Sequence, residues 1–223
     1  MKRDRLSIHI SDSAEITVEE RRNGIKRIKN ISINDLLVCI KSSLREIKPV
    51  YHAVLPKNAL FYSCCPETGD FSAAIEYPYS KATITYMATE YPDFPLPKLV
   101  FGFKVAGGKI KKVYLGVTGN GILRESSLMY TYPFSNVRED FSLCTGGNAL
   151  PEIKTPFSLS NMPDYILSLP DNDDYFNIRN NRLELGHREL MEHLADKTPE
   201  YYYSDILIPS GKTLSDFYRE VSL

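Results

Sequence analysis

Apolar and polar residues alternate through much of the first half of the chain. Residues 6–10 and 25–33 keep the two-residue period of half-buried strands on either side of a charged turn at Asn23-Gly24. The period then lengthens. Leu36, Leu37, Ile40, Leu44 and Ile47 recur at helical spacing behind Ser32 or Asn34 as caps, which predicts a helix from Asp35 to about Ile47. Alternation returns at residues 60–64, 71–77 and 81–87. The best hairpin lies between 98–105 and 109–117, joined by Ala106-Gly107-Gly108. Pro92, Pro95 and Pro97 exclude a helix before it and predict an extended lead-in. The expected result is a strand meander.

Beyond residue 150 the strand pattern fades. Pro151, Pro156, Pro163 and Pro170 punctuate the chain, and residues 161–181 are rich in Asp and Asn, so loops with short helical turns are expected. A helix is predicted over about 185–195, with Leu190, Met191 and Leu194 on one face, before a tyrosine-rich return at Tyr201 to Tyr203. The order of helix, antiparallel meander, loop and helices predicts an α+β fold. Residues 1–33 read as an N-terminal β extension and 34–223 as one domain.

With 43% hydrophobic and 25% charged residues, the 223-residue chain can bury a core of its own. A formal charge of -1 argues against a nucleic-acid footprint. The basic cluster from Arg21 to Lys29 adjoins Glu19 and Glu20 and reads as a solvated hairpin face. No apolar run follows Met1-Lys2-Arg3-Asp4-Arg5, and no later window approaches the length needed to cross a bilayer, so no membrane role and a cytoplasmic location are expected. Four cysteines in such a chain are expected as free thiols. Cys39 falls in the helical pattern as a core residue. Cys64 and Cys65, adjacent in a strand, would face opposite ways and make a poor metal site, and no metal is expected. Residues 116–121 lack the Gly-Lys-Ser/Thr ending of a phosphate loop, so no cofactor is expected and ATP chemistry would belong to a partner.

Cys144 differs from the other three. It lies in the polar, glycine-bounded segment Tyr-Pro-Phe-Ser-Asn-Val-Arg-Glu-Asp-Phe-Ser-Leu-Cys-Thr-Gly-Gly-Asn, with Asn136 upstream, seven residues between it and the sulfur, and Gly146-Gly147 close behind. A thiolate can take an acyl group from another thioester at nearly equal energy. A carboxamide aimed at the acyl oxygen can stabilise the charge that develops when an amine attacks. Gly146 and Gly147, having no Cβ, leave room for a slender peptide tail beside the sulfur.

An Asn, seven intervening residues and a Cys resembles the active-site signature of ubiquitin-conjugating enzymes. The segment is more specifically similar to prokaryotic E2 family D, also described as the PRTRC system protein B type, through Pro133, Asn136, Val137, Asp140, Cys144, Gly146 and Leu150-Pro151. Phe94-Pro95-Leu96-Pro97-Lys98-Leu99-Val100-Phe101 and, loosely, Gly211-Lys212-Thr213-Leu214 extend the likeness. Phe134-Ser135 replaces the His-Pro of eukaryotic members. Phe141 stands where a glycine usually sits, which predicts a turn without positive φ there.

The resemblance implies a ubiquitin-conjugating-enzyme-like fold. It also implies a bacterial carrier that accepts a ubiquitin-like protein as a Cys144 thioester from a ThiF-like activating enzyme and passes it to an amine, with a metallopeptidase of the same operon as a further partner. Two other readings stand beside it. A noncatalytic adaptor of the same fold would not need the thiol. A cysteine hydrolase would need a base near the thiol, yet His9, His52, His187 and His193 lie in no hydrolase motif, and His187 and His193 read as surface residues of the late helix.

Overall fold

The computed structural model describes residues 5–11, 15–22, 24–43 and 53–222. Asn23 of the expected turn, Leu44 and Ile47 of the expected helix, and His52 lie outside them. The chain divides into two compact units, Met1–Val50 and Tyr51–Leu223. The first helix therefore groups with the N-terminal strands, whereas the sequence pattern assigns it to the second domain.

In the first unit, β1 (Arg5–Ile10), β2 (Ile16–Arg22) and β3 (Ile25–Ile31) form an antiparallel sheet in that order. The central strand is an addition to the sequence expectation, which has strands only at 6–10 and 25–33 in this unit. Ile8 lies opposite Val18, and Val18 opposite Lys29. Its Glu-Glu-Arg-Arg end hides the alternation. The basic cluster is a solvated hairpin face, as expected, with Glu19 2.8 Å from both Arg21 and Lys26. Helix α1 (Ile33–Ser43) starts behind Ser32, whose hydroxyl accepts from Asp35 N at 3.1 Å while Ser32 N donates back to the Asp35 carboxylate at 3.3 Å. Cys39 is exposed, not a core residue as expected, and so are Leu37, Val38 and Ile40. Helical spacing marks an apolar stripe, but whether a stripe is covered is decided by its neighbours.

The second unit is α+β, mostly antiparallel strands in a curled sheet with a few helices. Its main sheet runs β12 (Pro209–Thr213), β10 (Leu128–Tyr130), β9 (Lys109–Thr118), β8 (Leu99–Ala106), β5 (Phe71–Tyr77), β4 (Ala59–Cys64), and the two-residue strand β11 (Ser142–Leu143) also pairs with β9. The expected simple meander is corrected at one place. The strand at 81–87 leaves the sheet as β6 (Ser80–Tyr86) and pairs with β7 (Thr89–Leu96), so β5 hydrogen-bonds β8 directly. Strand β7 contains Pro92 and Pro95, which a two-stranded ribbon tolerates because each strand has one free edge. The hairpin between β8 and β9 closes at Gly107 and Gly108, both with positive φ (57° and 73°), which suits the right-handed twist of the flanking strands.

Alternation along β8 feeds two cores. Leu99, Phe101, Phe103 and Val105 enter the larger one, shared with the β6–β7 hairpin, α2 (Met162–Leu167), α3 (His187–Leu194) and a π-helical turn at Tyr202–Ile206. Leu190, Met191 and Leu194 of α3 are buried as their spacing predicts. Val100 enters the smaller core with Ala74, Tyr114, Met129 and Phe141, under Leu214, Phe217 and Val221 of α4 (Leu214–Val221). Helix α4 lies on a floor of missing side chains. A Cβ on Gly102 would come within 2.4 Å of Val221 Cγ2, and one on Gly116 within 2.4 Å of Met129 Cε and 3.3 Å of the Phe217 ring. Thr213 and Asp216 cap this helix reciprocally.

Candidate functional site

Asn136 and Cys144 are brought together by a short hairpin. Cys144 N donates to Asn136 O at 2.8 Å, Arg138 N to Ser142 O at 3.0 Å, and Phe141 N closes the turn onto Arg138 O at 2.9 Å. The seven residues between amide and thiol are therefore the return path of a hairpin, whose second arm, β11, is stitched to β9 by Ser142 opposite Tyr114 and Leu143 opposite Val113. Asp140 stiffens the turn by accepting from Ser142 N at 3.0 Å.

Phe141 corrects one expectation. Its φ is +65°, the left-handed region that glycine enters without penalty. The non-glycine side chain is retained because the ring is buried in the smaller core, 5.2 Å from the Phe217 ring. That contact anchors the hairpin from below.

Cys144 is half-buried and borders a cleft of about 100 Å³, which Asn136, Ser135, Gly146 and Asp171 also line. Gly146, at φ +58°, and Gly147 form the turn from Thr145 to Asn148, closed by Asn148 N to Thr145 O at 3.3 Å. Gly146 lies on the cleft, and nothing stands within 4 Å of where a Gly147 Cβ would be. Behind the hairpin a wider groove of about 700 Å³ runs past Arg138, Phe141, Tyr175 and Lys212. Arg138 donates to the Tyr175 hydroxyl at 2.6 Å and stacks on that ring at 4.5 Å. Tyr175 pushes the guanidinium above its ordinary value, against a smaller opposing effect of burial.

Asn136 is nearly buried, with φ +65°, and is gripped by one segment on two sides. Its backbone N donates to Asp174 O at 2.7 Å, and its Nδ2 donates to Asp171 Oδ1 at 2.7 Å. Asp171 is itself pinned to the β6–β7 turn: its N donates to Thr85 O at 2.7 Å, and its O accepts from Met87 N at 2.8 Å. Burial raises the Asp171 carboxyl to about 6, and the Asn136 amide offsets part of that rise. Ser135 Oγ, buried without a partner at hydrogen-bonding geometry, leans the same way as Asn136. Neither Asp171 nor Asp174 stood out in the sequence. The one signal was the Asp- and Asn-rich run at 161–181, read as loop.

The histidines fall elsewhere. His187 is buried, not on the surface as expected, because it opens α3 beneath an aromatic cluster. Its Nδ1 lies 3.0 Å from Asp173, which also accepts from Tyr86 OH at 2.8 Å, and its ring stacks on Phe176 at 4.6 Å. Burial pushes the imidazole down despite Asp173. With Nδ1–H on the carboxylate, the buried Nε2 has no partner. His193 is half-buried, with Nε2 3.1 Å from Tyr201 OH. No histidine lines the cleft among the described residues. Cys64 and Cys65 are half-buried free thiols, and Cys65 Sγ donates to Glu67 at 3.0 Å.

Among the described residues no group of three or more His, Cys, Asp or Glu could hold a metal ion, and no helix is long and apolar enough to cross a membrane. No family model matches this sequence, no curated protein is significantly similar to it, and no solved structure matches its fold.

Proposed function

We propose that this protein is a ubiquitin-conjugating-enzyme-like carrier of the prokaryotic E2 family D type. In this reading Cys144 takes a ubiquitin-like modifier from a ThiF-like activating enzyme and delivers it to an amine. The observation that carries the reading is the hairpin that sets a half-buried thiol and a nearly buried carboxamide on one cleft. The positive φ of Phe141 adds support, since the resemblance places a glycine there and this backbone has the conformation a glycine favours.

Loading is a thioester exchange. The Cys144 thiolate attacks the modifier's thioester carbon, a new S–C bond forms, and the activating enzyme's thiolate leaves. In transfer, an amine nitrogen attacks the same carbon, the S–C bond breaks, Cys144 leaves as thiolate and the nitrogen sheds a proton. Negative charge gathers on the acyl oxygen in between. An amide donor there contributes on the order of 3 kcal/mol, by the measured value of comparable oxyanion donors. Asn136 belongs to this second step. Gly146 and the open turn after it give the modifier's C-terminal tail a path beside the sulfur.

A hydrolase is disfavoured, because no histidine among the described residues lines the cleft, and His187 is buried among aromatic rings. A carrier gains from this, since a water activated beside the thioester would discharge it. The test is incubation with the activating enzyme, the modifier and ATP, followed by a nonreducing gel. A thiol-sensitive adduct that Cys144→Ala abolishes and Cys39→Ala and Cys64→Ala retain is expected. An adduct on no cysteine would replace the carrier with the adaptor of the same fold.

A further inference from the structure

We infer that Asp171 is a positioning residue for acyl transfer, fixing which end of the Asn136 carboxamide faces the thioester, an assignment that rests on the carrier reading above. An asparagine carboxamide has two ends of nearly equal shape and opposite polarity. With Nδ2 toward the cleft it can donate to a developing oxyanion; with Oδ1 there it repels one. Nothing intrinsic to the residue chooses between them.

The neighbours choose. Nδ2 sits 2.7 Å from Asp171 Oδ1, and a carboxylate only accepts, so it holds the nitrogen end by one N–H and leaves the second N–H of the same nitrogen free for another acceptor. Turning the amide over would set Oδ1 against the carboxylate oxygen at the same distance. The clasp is also rigid at both ends. The Asn136 backbone is tied to Asp174 and Cys144, and the Asp171 backbone to Thr85 and Met87, so neither side chain has a mobile base. Both residues and the thiol border one cleft. Asp171 does not have to touch the reacting atoms; it acts through Asn136.

That indirectness gives a test that a purely structural role would not pass. The full chain is acylated with the 2-mercaptoethanesulfonate thioester of acetyl-Gly-Gly, whose thiolate leaves as the Cys144 thioester forms. Discharge to Nα-acetyllysine amide is then followed by mass spectrometry. Discharge is measured in the wild type, Asp171→Asn, Asn136→Ala and the double variant. Asn at 171 keeps the shape but presents either a donor or an acceptor, so the Asn136 amide loses its fixed sense. Discharge in Asp171→Asn is expected to slow about tenfold, part of the 10²–10³ that loss of an oxyanion donor costs. In the Asn136→Ala background the same substitution should change discharge less than about twofold, since a residue acting through Asn136 has nothing left to act on. Equal slowing in both backgrounds, or none in the wild-type background, overturns the assignment. Should Asp171→Asn fail to fold, Asp171→Ser takes its place in the same cycle. Failure of the wild-type thiol to take up the acyl group is a different result: it removes the carrier reading, and this assignment with it.

Discussion

Removing the charge from Asp171 should stabilise the protein near neutral pH. Burial raises this carboxyl to about 6, from 3.8 for the unhindered group. Below pH 3.8 both folded and unfolded chains hold the proton, and the site costs nothing. Between 3.8 and 6 the unfolded chain ionises first, so stability falls as pH rises; above 6 the full penalty is present. A difference of about two pH units corresponds to about 3 kcal/mol at 1.36 kcal/mol per unit, an upper figure because the side chain retains some contact with water. Asp171→Asn keeps an oxygen for the Asn136 amide and cannot ionise. Urea unfolding of both proteins at pH 3.5 and pH 7.5 gives the comparison directly, since other titrating groups cancel. The stability difference should move in favour of Asp171→Asn by about 1–3 kcal/mol between the two pH values. A pH-independent difference, or one that moves toward the wild type, would show that burial does not hold this carboxyl up. The same variant is expected to lose transfer rate, so stability and activity should move in opposite directions.

Other consequences concern the frame around the cleft. Phe141→Gly relieves about 1 kcal/mol of left-handed backbone strain but forfeits about 2–3 kcal/mol of ring burial against Phe217, so a net loss of about 1–2 kcal/mol is expected in urea melts. A gain would mean that strain outweighs packing at the hairpin. Gly116→Ala should cost about 1–3 kcal/mol by overpacking Met129 and α4, lowering the thermal midpoint, and an unchanged midpoint would show that the helix is not seated closely on β9. Asn136→Ala should slow transfer by about 10²–10³ in single-turnover discharge while loading falls far less, because the oxyanion contact belongs to transfer. Equal losses in both steps would remove the amide from that role.

Period-two alternation sufficed to locate β4, β5, β8 and β9, and helical spacing sufficed for α3, because each is written in apolar residues at a regular interval. Strand β2 was missed, since its solvated Glu and Arg end carries no apolar alternation. Strands β10 and β11, with three and two residues, are too short for any period to register. Helix α4 left a legible sign in Thr213-Leu-Ser-Asp216, a capping pair ahead of Phe217 and Val221, but its place over Gly102 and Gly116 appears only once β8 and β9 are side by side. Cys39 and His187 went wrong in opposite directions for one reason: a side chain's own polarity does not say what lies on top of it.

At the candidate site the division falls in the same place. The identity of thiol and amide, their spacing and the glycines behind them are local properties, and a gap of seven residues is short enough for one hairpin to close. The grip on the amide is not local. Asp171 lies 35 residues beyond Asn136 and reaches it because the β6–β7 hairpin, displaced from the main sheet, holds the 171–174 segment against the Asn136 turn. Hydrogen bonds between residues so far apart in the chain depend on how two hairpins pack, and packing is a property of the assembled core that no single stretch of sequence contains.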